Sequence, residues 1–269
     1  MDAIDRASDA VEREALASFF TCCPERTKKA LGYFCDEIDG ALLLGASEDS
    51  SILLNRCVGI GSEGPVNAAR VKKVEAHYAA KGIQRYFLHI YADEMDPDER
   101  IFDGTRLEKA RSWMTFARGT DSATARANDF EIRAVSTESE ALDAGRIAAP
   151  AFDMSDAAAA IFVGLMDDPR WTTFVAYKDG VAAGTGSLFI DGELAWLDWG
   201  ATSPAFRGQG CQGAVLAARI NKAIRCACQR MFTETGEATE GDPQYAYSNI
   251  VRFGFEERRV RQNWAPPQP

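Results

Sequence analysis

The stretch Arg207-Gly208-Gln209-Gly210-Cys211-Gln212-Gly213 lies between an apolar strand pattern at residues 194–200 and an amphipathic helix pattern. In that helix Leu216, Ile220, Ala223, Ile224 and Ala227 recur on one side at helical spacing, which puts Arg219 and Lys222 elsewhere. A strand, a glycine-rich turn with a basic residue, and a helix start together suit an anion. Glycines let backbone N–H groups come close to a ligand, and the first helical turn leaves its donors unpaired. The helix dipole adds positive potential there, so the turn fits a group such as a pyrophosphate.

Other readings of the same residues compete. A tight turn with no ligand uses the same glycines. The Gly-Lys-Ser/Thr ending of a P-loop is absent. Residues 208–213 do spell G-x-G-x-x-G, with Glu234 near the place of a ribose-binding acid. That fingerprint needs a strand running straight into its first glycine within a parallel βαβ unit. Here residues 201–207 intervene, and the strands ahead of the turn read as hairpins. Asp179-Gly180 joins strands at 172–177 and 181–190, and Asp191-Gly192 turns into 193–200.

Working outward, residues 130–135 read as a strand, 139–149 and 155–166 as helices, 230–234 as a strand, and 245–253 as a short helix. Gly254-Phe255 then opens a last strand. In this order of elements, residues 130–264 resemble the GNAT superfamily of N-acyltransferases. The resemblance is carried by Ser203-Pro204-Ala205-Phe206-Arg207-Gly208-Gln209-Gly210, by Ala214-Val215-Leu216 opening the helix, and by Gly254-Phe255. The superfamily's acyl-CoA loop reads Arg/Gln-x-x-Gly-x-Gly/Ala. Arg207 and Gly210 match, whereas Gln212 holds the last small position, with Gly213 one place later. The resemblance implies acetyl-CoA as acyl donor, held by Gly200, Ala201, Thr202, Arg207, Gly208, Gln209, Gly210, Cys211, Gln212, Gly213 and Asn249.

The first half repeats the same sequence of elements faintly. A helix at 4–20 is followed by a hairpin at 28–46 turning at Asp39-Gly40, a strand at 51–60, a helix at 66–80 and a strand at 83–91. An acidic segment, 93–102, leads to closing strands at 106–116. The turn Gly61-Ser62-Glu63-Gly64-Pro65 contains no arginine, and Glu63 repels a phosphate. This half resembles the degenerate half of tandem GNAT proteins. The expected fold is α/β with two GNAT-like domains in tandem, each a central twisted mixed sheet flanked by helices. Residues 1–120 form the degenerate domain and 130–269 the acyl-CoA-binding one. The small, polar segment 121–129 is the linker.

At 269 residues the chain is long enough for two modest domains, and 46% hydrophobic with 26% charged residues is ordinary for a globular protein. No apolar run approaches the ~20 residues of a membrane span, and the acidic N-terminus lacks an apolar signal core. The expected address is cytoplasmic, with no membrane partner. A net charge of −10 argues against nucleic acid as partner. Seven scattered cysteines without C-x-x-C pairs, and only two histidines (His77 and His89), leave no metal site to expect. Cys211, at a helix start, is placed where a thiolate would be stabilised.

Acyl transfer from a thioester to an amine needs a held donor, a base and a tolerated thiolate. By the resemblance, a backbone N–H of residues 200–202 faces the thioester carbonyl. An alkyl amine, with pKa near ~10, must lose a proton. Glu234, Asp198 and Glu237 are the candidate bases, with Asp198 set between Trp196 and Trp199. The superfamily's usual acid is a tyrosine four residues before the glycine of Gly-Phe, and Ile250 stands there instead. Tyr247 and Tyr245 are the nearby substitutes. Trp196, Trp199, Phe232 and Trp264 either line an acceptor pocket or fill the core. The expected activity is N-acyl transfer to a small-molecule or peptide amine by direct attack in a ternary complex. The alternative is an acyl-CoA-binding sensor without turnover, and a homodimer stays open.

Overall fold

The computed structural model describes residues 1–95, 100–241 and 244–267. The chain opens with α1 (Ala3–Thr21), capped by Asp2, whose carboxylate accepts the amides of Ile4 and Asp5. A short helix α2 (Glu25–Leu31) follows, then the hairpin β1 (Tyr33–Ile38) and β2 (Ala41–Ala46). Residues 28–31, expected as strand, are therefore helical; Pro24 starts that helix, where its missing N–H costs nothing. The expected strand at 51–60 is confined to β3 (Arg56–Val58). Ahead of it Asp49 accepts the Ser51 amide and folds the backbone into a turn. α3 (Ala68–Ala80), β4 (Phe87–Tyr91), β5 (Glu108–Lys109) and β6 (Trp113–Arg118) complete this half. Residues 96–99 of the expected acidic segment lie outside the described residues.

The second half contains β7 (Glu131–Ala134), α4 (Glu138–Ala151), α5 (Ile161–Gly164), β8 (Trp171–Lys178), β9 (Val181–Asp191) and β10 (Leu194–Thr202). It continues with α6 (Cys211–Arg225), β11 (Arg230–Gly236), α7 (Tyr245–Arg252) and β12 (Glu256–Ala265). The helix expected at 155–166 is broken into two 3-10 turns around α5. That segment is drawn against α4, where a Cβ at Gly145 would fall 2.1 Å from the Ala159 carbonyl oxygen.

Both halves repeat one motif. In the first, β2 and β3 are antiparallel, and α3 crosses over to a β4 that is parallel to β3. In the second, β9 and β10 are antiparallel, and α6 crosses over to a parallel β11. The two sheets are joined into one by an exchange of closing strands. The order is β1-β2-β3-β4-β12-β6-β11-β10-β9-β8-β7, with β5 pairing β12 at the side. β6, from the first half, lies against β11 of the second; β12, from the second, lies against β4 of the first. Ala265, at the end of β12, pairs with Glu108.

α6 covers one face of the second half, over Leu188, Leu197, Met231 and Phe255. The opposite face is covered by α1, α4 and α5 over Phe189, Trp196, Trp199 and Phe232. α1 lies across the junction of the halves, and its acidic stripe meets the arginines of β12. Asp2 and Asp5 hold Arg258, Asp9 holds Arg259, and Glu12 holds Arg261. The halves also meet where Ser51 donates to the Phe152 carbonyl at 2.6 Å and Asp49 accepts the Ser155 hydroxyl at 2.6 Å.

Candidate active site

β10 and β11 run side by side only from Leu194–Trp196 opposite Arg230–Phe232, and then separate. At the parting point the Thr233 hydroxyl donates to the Leu197 carbonyl at 2.8 Å. On its other edge β10 bulges away from β9 between Asp198 and Ala201. Trp199 sits in this bulge with φ of +52°, a conformation costing a non-glycine residue about 1 kcal/mol. Its ring is clamped by Phe19, stacked at 4.5 Å, and by the edges of Phe152 and Phe162. The bulge and the parting leave residues 200–202 facing an open cleft of about 1420 Å³, larger than a drug-sized ligand needs.

The turn 207–210 forms the cleft's phosphate-sized end. Gly208 and Gly210 have φ of +74° and +91°, which L side chains rarely adopt, and α6 starts directly after Gly210. The first helical amide with a carbonyl partner is that of Ala214, to Gly210. Among the described residues the amides of 208–213 donate to no backbone carbonyl, so they stand free for an anion. Arg207 reaches back to the Thr202 carbonyl at 3.4 Å from an exposed position, and Gln209 is steadied by Lys178 at 3.0 Å. Asn249 donates to the Gln212 side chain, which joins α7 to the loop. Gly200, Ala201, Thr202, residues 207–213 and Asn249 all line the cleft.

The expected linker forms the facing wall. Asp121, Ser122, Ala123, Thr124, Arg126 and Ala127 line the cleft without regular structure, next to Gly119. Asn221 of α6 fastens this segment by exchanging two hydrogen bonds with the Ala123 backbone, at 3.1 and 2.7 Å.

The candidate carboxylates lie deeper. Asp198 accepts the Trp199 amide at 2.8 Å and the Trp196 indole N–H at 3.3 Å, and it keeps a strip of accessible surface. Burial raises its pKa, against the pull of Arg56. Glu234 stands across the parting on β11, 8% exposed, between Arg56 at 3.2 Å and Arg261. Arg261 also donates to both Glu12 oxygens, at 2.9 and 2.7 Å. Burial pushes the Glu234 carboxyl up, while the two arginines oppose it. Glu237 lies at the end of β11, its amide bonded to the Ser112 carbonyl. Neither Asp198 nor Glu234 is among the residues lining the open cleft.

Tyr245 lines the cleft and is 76% exposed, whereas the Tyr247 hydroxyl donates to Glu257 at 2.7 Å, away from it. Ile250 is buried in the core. Trp196, Trp199 and Phe232 also belong to the core, and Trp264 stacks on Phe102 at 3.7 Å in the first half. Cys211 is buried against Gly184, and burial pushes its thiol up to about 11, which removes it as a ready thiolate. Arg219, which the spacing sets apart from the apolar side of α6, is buried beneath β9 and β10. Arg56, Arg261, Glu12 and Arg219 were missed as a set. The acids at positions 2, 5, 9 and 12 at helical spacing, and the arginines of β12, were the visible signal.

The corresponding place in the first half is closed. Asn67 caps α3 by accepting the Arg70 amide at 3.1 Å, and Arg70 itself donates to the Gly64 and Asp39 carbonyls. Glu63 packs beside Gly40, and Glu94 against Gly61. Two carboxylates thus surround a turn whose cations are already engaged.

Residues 139–242 match the Acetyltransferase (GNAT) family. No curated protein matches the sequence significantly. Among solved structures, a GCN5-related N-acetyltransferase from Kribbella flavida is similar with a TM-score of 0.63 at 13% identity, over 90% of this chain and 93% of its own. One from Sphaerobacter thermophilus gives 0.60 at 13% identity, over 87% and 83%. A tandem GNAT protein from the clavulanic acid biosynthesis pathway gives 0.52 at 14% identity, over 75% and 69%. At such identities the likeness is one of fold. Among the described residues no helix is long and apolar enough to cross a membrane.

Proposed function

We propose, from the premise that residues 139–242 form a GNAT acetyltransferase domain within a tandem GNAT fold, that the protein transfers an acetyl group from acetyl-CoA to a primary amine. One observation carries this reading: the free amides of 208–213 and the exposed Arg207 converge at the end of a cleft opened by the parting of β10 and β11. The pyrophosphate fits those amides and the helix dipole, and the cleft leads from them to residues 200–202.

In this mechanism the amine attacks the thioester carbonyl directly in a ternary complex. The new C–N bond forms as the C–S bond breaks, and the electron pair leaves with sulfur. A backbone N–H of residues 200–202 supports the carbonyl oxygen. Asp198 is the better placed base, because its carboxylate carries only two neutral donors. Both Glu234 oxygens are held by guanidinium groups, which suits Glu234 to fixing the strands around Asp198. Tyr245, exposed at the cleft, is the tyrosine free to approach sulfur. The division into 1–120, 121–129 and 130–269 belongs to the same proposal, with the first half closing the acceptor side through Asp49 and Ser51.

Calorimetric titration with acetyl-CoA, followed by measurement of CoA release with pooled small amines and peptides, tests the assignment. The expected outcome is binding near one equivalent and amine-dependent release. A sensor without turnover is the second reading, favoured by the buried Ile250 where the family places a tyrosine. Tight binding with no release against any amine selects it.

A further inference from the structure

Where β10 begins to bulge, one buried side chain reaches a carbonyl on each of two neighbouring strands. Arg219 of α6, 6% exposed, donates from Nη1 to the Asp198 carbonyl at 3.1 Å and to the Ser187 carbonyl at 3.3 Å. Its Nε has no partner among the described residues. Two glycines make the hole it occupies. A Cβ at Gly186 would lie 2.8 Å from the guanidinium carbon, and one at Gly200 would lie 3.2 Å from Nη2. Among the described residues no carboxylate oxygen makes an ion pair with the group. The nearest acid, Asp198, turns its side chain to the opposite face with Trp196. Burying a cation without a contacting carboxylate is costly, and burial pulls its pKa down to about 10, although the charge of Asp198 opposes this. A structural plug for the bulge could be neutral, so the charge asks for its own reason.

Gly200 lines the cleft, and only its backbone separates the guanidinium from the place where residues 200–202 would meet the thioester. When the C–S bond breaks, the electron pair goes to sulfur; Ile250 cannot supply a proton, and the sulfur carries charge until Tyr245 or solvent protonates it. We propose that Arg219 is a positioning residue with an electrostatic role: it holds the bulge that turns residues 200–202 into the cleft, and its fixed charge stabilises the CoA thiolate. The remaining charged groups facing the cleft are Arg118, Arg126, Arg207, Arg252 and Asp121. Arg118 is bound to the Phe253 and Asp121 carbonyls.

This rests on the cleft binding CoA, and the test separates the two claims. The thiol of bound CoA is titrated through its thiolate absorbance, and acetyl-CoA, which has no thiol, is titrated calorimetrically. In the parent protein the bound thiol should ionise about one to two pH units below an ordinary thiol near ~8.5. Arg219→Met should return it toward that value while acetyl-CoA affinity changes less than about threefold, and Arg219→Lys should keep most of the shift. Should the Met variant not fold, Gly186→Ala displaces the guanidinium without removing it and should produce the same loss. An equal thiol titration in parent and variant, with acetyl-CoA binding intact, overturns the role of Arg219. Absence of acetyl-CoA binding in the parent overturns the cofactor reading and this inference with it.

Discussion

At the scale of single residues, the proposed acyl-CoA site rests on charge at Arg207 and on backbone at Gly210. Arg207→Glu should lower acetyl-CoA affinity by at least ~100-fold with an unchanged melting temperature, since the side chain is exposed and makes one weak contact. Calorimetry on the folded variant decides this, and parental affinity would remove Arg207 from the site. The two carboxylates should separate by type of defect. Asp198→Asn should lower turnover roughly 100-fold while sparing acetyl-CoA affinity, with the deficit shrinking as pH rises and the amine deprotonates unaided. Glu234→Gln should instead cost stability, on the order of 3 kcal/mol, because it strands Arg56 and Arg261 with one fewer carboxylate. Denaturant midpoints and pH–rate profiles on both variants distinguish these outcomes. The reverse pattern would assign the base to Glu234.

At the scale of elements, α1 fastens the two halves through its acid stripe, and part of that stripe titrates. Burial, helped by the neighbouring Glu12, pushes the Asp9 carboxyl up to about 7, although Arg261 and Arg259 oppose it. Between about pH 4 and pH 7 the folded protein keeps a proton there that the unfolded chain has released. Bound protons then favour the folded state less as pH rises, so stability falls across that window. Asp9→Asn should flatten this part of the profile, read as the change in denaturant midpoint between pH 5 and pH 8. An unaltered slope would show that the folded Asp9 titrates as a free carboxylate. α6 works as a second two-ended element. Its N-terminus presents open amides to the cleft, and about two turns further on Arg219 holds the strand that forms the cleft's floor.

At the scale of the whole molecule, the exchange of closing strands makes the halves interdependent. Residues 130–269 alone would lose β6 from beside β11, leave β12 without β4 or β6, and uncover Trp199 by removing α1. Expressed by themselves they should aggregate or show no dispersed amide spectrum, since an unpaired apolar edge is an association site. A well-folded, acetyl-CoA-binding fragment would refute the structural dependence. The full chain should bind one CoA, because Asn67, Arg70, Glu63 and Glu94 already fill the first half's counterpart. A second equivalent, or residual binding in Arg207→Glu, would show a site there.

The sequence by itself determined the local pieces. Asp-Gly turns, apolar alternation and the Arg207–Gly213 stretch specify hairpins, a crossover helix and an anion-sized turn, because each is fixed by backbone chemistry within a few residues. It also specified the contrast with Glu63, which sits in the same turn of the first half. Tertiary structure decided what those pieces face. Strand exchange pairs residues far apart in the chain, so no periodicity reveals that β6 adjoins β11 or that Arg56 and Arg261 meet at Glu234. The position of Arg219 shows the same limit. Helical spacing sets this cation apart from the apolar side, but a bulge on one strand and two glycines on neighbouring strands opened a buried hole for it. A pattern in one segment reports that segment's own preference for water, and a hole made by other segments can outweigh it.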